Sequence, residues 1–279
     1  MTIDWFNRYE VAEWPELHEH LVKYLNKSEW VFRGQGSECW HLETGIERLR
    51  TLFNVDWSKL PDYEWKLLRE FRRRAHIYHS SPPAKHDHLE WLALLRHHGG
   101  PTRLLDFSYS PFIATYFALE AAQDDSALWA INNKWLRSRA EQVVRDGVDE
   151  GDEVIKNFST DRDGESFKEM FWRDPPLRFV RSANPIRLNE RLTLQQGVLL
   201  CPGDITTRFE DNFSGATLKA NVHKIVLKNR CREETLKQLR KMNIDRTALF
   251  PGLDGFAQSL NSRFDEIGKM PVAGKRYTF

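Results

Sequence analysis

The sequence predicts a mixed α+β domain, and three observations lead there. Short apolar runs suited to strands interleave with amphipathic stretches suited to helices, without the strict alternation of a doubly wound fold. No Pro/Gly/Ser-rich or strongly charged linker divides the 279 residues, so residues 1–279 read as one domain, large enough to bury a substantial core. Aromatic residues make up 12% of the chain and include ten Trp, a composition that favours an ordered core over disorder.

Taken in order, residues 1–27 carry an N-terminal helix over WPELHEHLVKYLN, with Leu17, Leu21 and Leu25 on one stripe. A strand follows at 29–33. Residues from Pro61 to about Tyr78 read as a long helix with proline in its first turn, and its centre, EFRRRAH, is the most basic run of the chain. His86 to Leu95 is a further helix, stopped by Gly99-Gly100-Pro101. TRLLDFS reads as a strand, and PFIATYFALEAA as a helix opened by Pro111. Ser110 precedes that helix as its N-cap. Ala127 to Ile131 is a strand. Residues 133–170, charged and weakly periodic, read as a helical insertion or a mobile loop. Strands are expected at Arg191–Leu200 and Val222–Leu227, and closing helices at 231–242 and 252–266.

Lys+Arg is 41 against 40 for Asp+Glu, so binding of nucleic acid by bulk charge is disfavoured while a local basic patch is not. Cys39, Cys201 and Cys231 are widely spaced and form no CxxC pair, which argues against a disulfide framework or a zinc finger. No stretch has the length and apolarity of a membrane span, so no membrane association is expected and the default compartment is the cytoplasm. Six of the ten histidines fall between His76 and His98, yet none has a partner at ligand-like spacing, and no metal site is assigned. GxGxxG, Walker A, GxSxG and HExxH motifs are absent.

Three polar stretches remain as candidate chemistry. In WVFRGQG an apolar strand delivers Arg33 into a glycine-flanked turn. Arginine binds phosphate or carboxylate through parallel hydrogen bonds, and glycine admits close backbone approach. In HHGGPTRLLDFSYS, Arg103 pairs with Asp106, or Asp106 holds Arg33; Ser108 and Tyr109 are left for other work. In NERLTLQQGVLL a strand presents Glu190, Arg191, Gln195 and Gln196, with Glu190 and Gln195 on opposite faces. For each, an ordinary structural role carries about the same weight as a functional one.

Together these stretches resemble the FRG-domain family, named for its Phe-Arg-Gly motif: Phe32-Arg33-Gly34-Gln35, then HHGGPTRLLDFS, then Arg191 with Gln195 and Gly197, and finally Phe250-Pro251-Gly252-Leu253-Asp254-Gly255. The resemblance spans roughly residues 28–260. A further likeness is to ADP-ribosyltransferases, whose fold presents an Arg or His, a Ser- or Tyr-bearing strand before a helix, and a Glu or Gln on a later strand. That likeness implies a central split β-sheet flanked by helices, NAD as substrate, and Arg33, Ser108 and Gln195 as catalytic residues. It implies NAD contacts from Phe32, Arg33, Gly34, Gln35, Arg103, Asp106, Ser108, Tyr109 and Tyr116. Tyr109 or Tyr116 would stack on the nicotinamide, and Gly34 and Gly36 would let the backbone approach its amide. It also implies a toxin or phage-defence effector that modifies RNA, DNA or protein and is neutralised by an antitoxin or chaperone. Because Gln195 is no base at neutral pH, either Glu190, Asp106 or His98 supplies one, or the acceptor nucleophile needs none, or NAD is bound without transfer. The alternatives are a non-catalytic module for a ligand or nucleic acid, and a hydrolase or nuclease using His97, His98 and Asp106.

Overall fold

A computed structural model describes residues 5–25, 29–160, 166–187, 189–215, 217–262 and 264. It is an α+β domain built on one seven-stranded mixed sheet. The strands are β1 (Asn7–Val11), β2 (Trp30–Gln35), β3 (Leu105–Ser108), β4 (Ser126–Asn132), β5 (Val180–Ser182), β6 (Gly197–Pro202) and β7 (Val222–Leu227), in the order β1-β7-β4-β2-β3-β6-β5. β1 runs parallel to β7; the remaining pairs are antiparallel. Residues of β4 and β7 are buried almost throughout, because helices or loops cover both faces of the sheet centre.

On one face, Phe32, Leu128, Ala130 and Ile225 pack against Leu17 and Leu21 of the Trp14–Leu25 helix and against Ala114 and Ala118 of the Pro111–Leu119 helix. Leu17 and Leu21 form the buried stripe as expected, but Tyr24 completes it and Leu25 points to solvent. On the other face, Val31, Phe107, Trp129, Val198 and Val222 pack with Phe209 and Phe213.

The Leu60–Tyr78 and His88–His97 helices lie where the sequence places them, within two residues. Ser110 caps the Pro111–Leu119 helix, its hydroxyl accepting from Ile113 N at 3.3 Å. The segment read as a helical insertion or a mobile loop is helical in most of its described part. Its helices Asn133–Gly147, Gly151–Thr160 and Phe167–Phe171 contribute Ala140, Val144, Phe167 and Phe171 to a core shared with Leu68, Leu92 and Leu104. Their periodicity is weak in the sequence because charged outer faces dominate a narrow apolar stripe.

The expected strand Arg191–Leu200 is corrected. Asn189 Oδ1 accepts from Leu192 N at 2.8 Å and starts a short helix, Glu190–Leu194, with Gln195 as its C-cap; β6 begins only at Gly197. Leu192 folds back over Gly197, where a Cβ would lie 2.1 Å from Leu192 Cδ1. Glu190 and Gln195 therefore do not share a strand. β1 and β5 have no counterpart among the expected elements; each is a short edge strand. The closing helices are Arg232–Lys241 and Leu253–Ser262; most of the expected reach to residue 266 lies outside the described residues.

β2 and β3 are joined by one residue pair, Phe32 opposite Ser108. Beyond it the strands part, and the side chain of Arg33 bridges the gap by donating from Nη1 to the Asp106 carbonyl at 2.6 Å. The sheet is thus continuous in order but opens at its middle, and the opening positions the site described next.

Candidate functional site

A cleft of about 1140 Å³ lies at this opening. β2 contributes Phe32, Arg33, Gly34 and Gln35, β3 contributes Asp106, Phe107 and Ser108, and the turn before β6 contributes Gln195. The cleft is basic: Arg33, Arg48, Arg50, Arg96, Arg191 and Arg208 line it against Glu43, Glu47, Asp106 and Glu210. Two of those carboxylates are consumed by backbone amides. Glu47 accepts from Thr44 N and Phe209 N, each at 2.6 Å, and Glu210 accepts from Leu42 N at 2.8 Å. Six arginines against four carboxylates leave an excess of positive charge, which suits an anionic ligand.

Arg33 stands at the centre. Burial pushes its guanidinium down to about 10, against the opposing pull of Asp106, so the group stays cationic at neutral pH. Nη1 is bonded to the Asp106 carbonyl, but the buried Nε has no partner among the described residues. A buried donor left without a partner is costly in the absence of a ligand or water. The Asp106 carboxylate, about half exposed, accepts from Arg96 Nε at 2.9 Å and from Arg96 Nη2. His97 lies alongside. Burial first, then His98 and Arg191, hold it below the usual histidine range, so it is neutral at physiological pH.

Several expected residues have structural employment. Gly34 is a glycine because the Pro111–Leu119 helix rests on it: a Cβ would stand 2.0 Å from the Ala114 carbonyl oxygen. This gives it a packing role, and it also lines the cleft. Gln35 is a latch, donating to the His41 carbonyl at 2.9 Å and accepting from Trp129 Nε1 at 2.7 Å. The Ser108 hydroxyl donates to the Gln195 carbonyl at 2.8 Å and accepts from Ser110 N at 3.0 Å. Gln195 donates from its side chain to the Leu249 carbonyl at 3.0 Å.

Other expectations are overturned by position. Arg103 does not pair with Asp106. It is fully buried against Glu64, with Nε to Oε2 at 2.7 Å and Nη1 to the Phe171 carbonyl at 2.6 Å. Tyr116 is buried and donates to Glu120 at 2.8 Å. Tyr109 is exposed beside Asn184. None of the three is among the residues that line the cleft. The aromatic lining is Phe32, Trp40, Trp57, Phe107 and Phe117. His98 and Glu190 also lie outside the lining.

Sequence reasoning missed Arg48, Arg96, Arg208, His41 and Glu210. They sit on elements remote in sequence and have no common spacing. One local signal was available: Arg96 stands immediately before the HHGGP turn, in the last turn of the helix leading into it.

Residues 28–127 match the family model of the FRG domain. The chain carries an FRG domain. The match runs from just before β2 to the start of β4 and so contains Arg33, Arg96, Asp106 and Ser108. Gln195 and the Phe250–Gly255 segment lie beyond it. No curated protein and no solved structure matches the chain. Among the described residues no helix is long and apolar enough to cross a membrane, and no group of three His, Cys, Asp or Glu side chains is placed to hold a metal.

Proposed function

We propose that this FRG-domain protein binds NAD in the cleft between β2 and β3 and transfers its ADP-ribose to a macromolecular acceptor, as a toxin or defence effector would. One observation carries the reading: Arg33, Ser108 and Gln195, delivered by separate elements, line a single cleft in which arginines outnumber carboxylates. The residues fit a dinucleotide. Arg33, Arg96 and Arg191 suit a pyrophosphate, the unpartnered Arg33 Nε offers it a buried donor, and Trp40 and Phe117 offer rings to a nicotinamide or adenine.

Within this reading Arg33 and its neighbours hold the pyrophosphate while the ribose sits over Ser108 and Gln195. The Ser108 hydroxyl and the Gln195 amide are already bonded to main chain, so both act by fixing the wall of the cleft. Negative charge for an oxocarbenium-like transition state comes from Asp106, the half-exposed carboxylate beside Arg33. The glycosidic bond breaks, nicotinamide leaves with the bonding electrons, and the acceptor adds at the same carbon.

The test is incubation with NAD labelled on its adenylate, together with cell lysate split into protein, RNA and DNA. Free nicotinamide and the fate of the label are followed for the wild type and Arg33→Ala. The reading predicts nicotinamide release and label transfer that Arg33→Ala reduces about 100-fold or more, the scale of a lost charge-stabilising contact. NAD left intact and unbound would sink it. A second reading, ligand binding without transfer, is favoured by the structural employment of Ser108 and Gln195; it predicts NAD binding with neither release nor transfer.

A further inference from the structure

A second cleft of about 710 Å³ adjoins the first and shares Cys39, Trp40, His41, Arg208 and Glu210 with it. Its floor is aromatic: Trp5 stacks between Trp129 and Phe213, with centroids 5.7 and 5.2 Å away, and Phe6 meets Trp129 edge-on. Its rim carries Arg8, held by Glu10 and Glu38 at 2.9 and 2.8 Å, Arg178, held by Asp204, and Arg208, held by Asp211 at 3.0 and 2.8 Å, while Lys224 is buried under the rings of Phe6 and Trp129. Trp40, on the ridge between the clefts, is 59% exposed and has no ring partner among the described residues. Arg178 touches Asp204 through Nε alone, so its terminal amino groups hold no hydrogen bond among the described residues. An exposed ring beside arginine amino groups on a groove of one-nucleotide size is the chemistry that binds unpaired bases and their phosphates.

We infer that this second cleft is the acceptor site of the proposed transferase and takes an unpaired nucleotide of a single-stranded nucleic acid, stacked on Trp40, with its phosphates on Arg8 and Arg178. The inference rests on the NAD reading for its acceptor role, but not for strand binding.

The ridge also supplies the base that Gln195 cannot. His41 Nδ1 lies 3.0 Å from Glu210 Oε2, and its side chain is 76% exposed. In the tautomer that donates from Nδ1 to Glu210, Nε2 is left free to accept a proton, and His41 lines both clefts. In the transfer, an N–H or O–H of the nucleotide forms a bond to the ribose anomeric carbon. The bond from that carbon to the nicotinamide nitrogen breaks, nicotinamide departs neutral with the electron pair, and the acceptor's proton passes to His41.

The experiment uses the full chain and a fluorescein-labelled mixed-sequence RNA of about ten nucleotides, followed by fluorescence anisotropy. A duplex of the same sequence and free AMP serve as comparison arms. The strand should bind, the duplex and AMP much more weakly. Arg8→Ala/Arg178→Ala, both at exposed positions, should weaken strand binding about tenfold with a shallower salt dependence. Arg33→Ala should leave it intact while abolishing nicotinamide release. His41→Gln should leave binding intact and lower label transfer to the strand about 100-fold. Absent binding, equal binding of duplex, binding indifferent to the double variant, or label entering the protein fraction instead would each overturn the assignment. Strand binding lost in the double variant, with no nicotinamide released under any condition, would overturn the acceptor role and the NAD reading while leaving a strand-binding site.

Discussion

Arg103 and Arg33 both come from polar stretches that stand out in the sequence, and the structure uses them in opposite ways. Arg103 is sealed: its side chain and that of Glu64 are 2% and 1% exposed. The Glu64 carboxylate accepts from the Arg103 main chain and guanidinium and from Trp172 Nε1 at 3.1 Å. Every charge there is answered within the fold, and the pair ties the Leu60–Tyr78 helix to the strand entry and to Phe171. Arg33 keeps part of its surface open to the cleft, its covered Nε is unanswered among the described residues, and the carboxylate nearest it is half exposed. A completed ion-pair network holds a fold together; an incomplete one beside a cleft is a place for a ligand.

The sharpest way to break that contrast is to remove one partner of each. Glu64→Ala strands a buried guanidinium and should cost about 3–5 kcal/mol in urea unfolding, whereas Arg33→Ala should cost much less and act on ligand binding instead. A large stability loss at Arg33 with none at Glu64 would reverse the assignment. Gly34→Ala tests whether the glycine of the Phe-Arg-Gly motif serves packing. The clash with the Ala114 carbonyl should destabilise by about 1–3 kcal/mol or more, seen as a lower Tm, before any ligand is added.

A third test concerns His88, which is buried beside Trp172 and Trp65, with both ring nitrogens unpartnered among the described residues. Burial, with Lys168 and Arg72 adding, pushes it down to about 4. Between its ordinary value of 6.5 and about 4, the unfolded chain binds a proton that the folded chain does not. Stability should therefore fall as pH drops from about 7 towards 4, and His88→Phe should flatten that fall in urea midpoints taken across the range. The smallest effect is expected at Ser110→Ala. It removes the cap of the Pro111–Leu119 helix for about 1 kcal/mol and leaves the cleft unchanged.

The sequence shows the long helices because an apolar stripe with caps and proline starts is a local signal. Leu17 and Leu21, Pro61, and Ser110 before Pro111 each report their own surroundings. The misassigned Gln195 segment has a local cause too: RLTL alternates like a strand, but the cap from Asn189 and the contact of Leu192 on Gly197 make it a helical turn. β1 and β5 could not be read, since an edge strand of three to five residues is defined by its partner, and β1 finds β7 more than 200 positions away.

By itself the sequence determined the α+β class, most helices, the central strands and the FRG motifs, all of which rest on neighbours within a few turns of chain. Tertiary structure alone decided which polar residues meet. It sent Arg103 to Glu64 and Arg33 to Asp106, took Tyr109 and Tyr116 away from the cleft, and brought Arg48, Arg96, Arg191 and Arg208 to it. The physical reason is that desolvation and charge pairing act across space. A buried arginine takes whichever acceptor the packed sheet and helices place within about 3 Å, and no spacing along the chain encodes that choice.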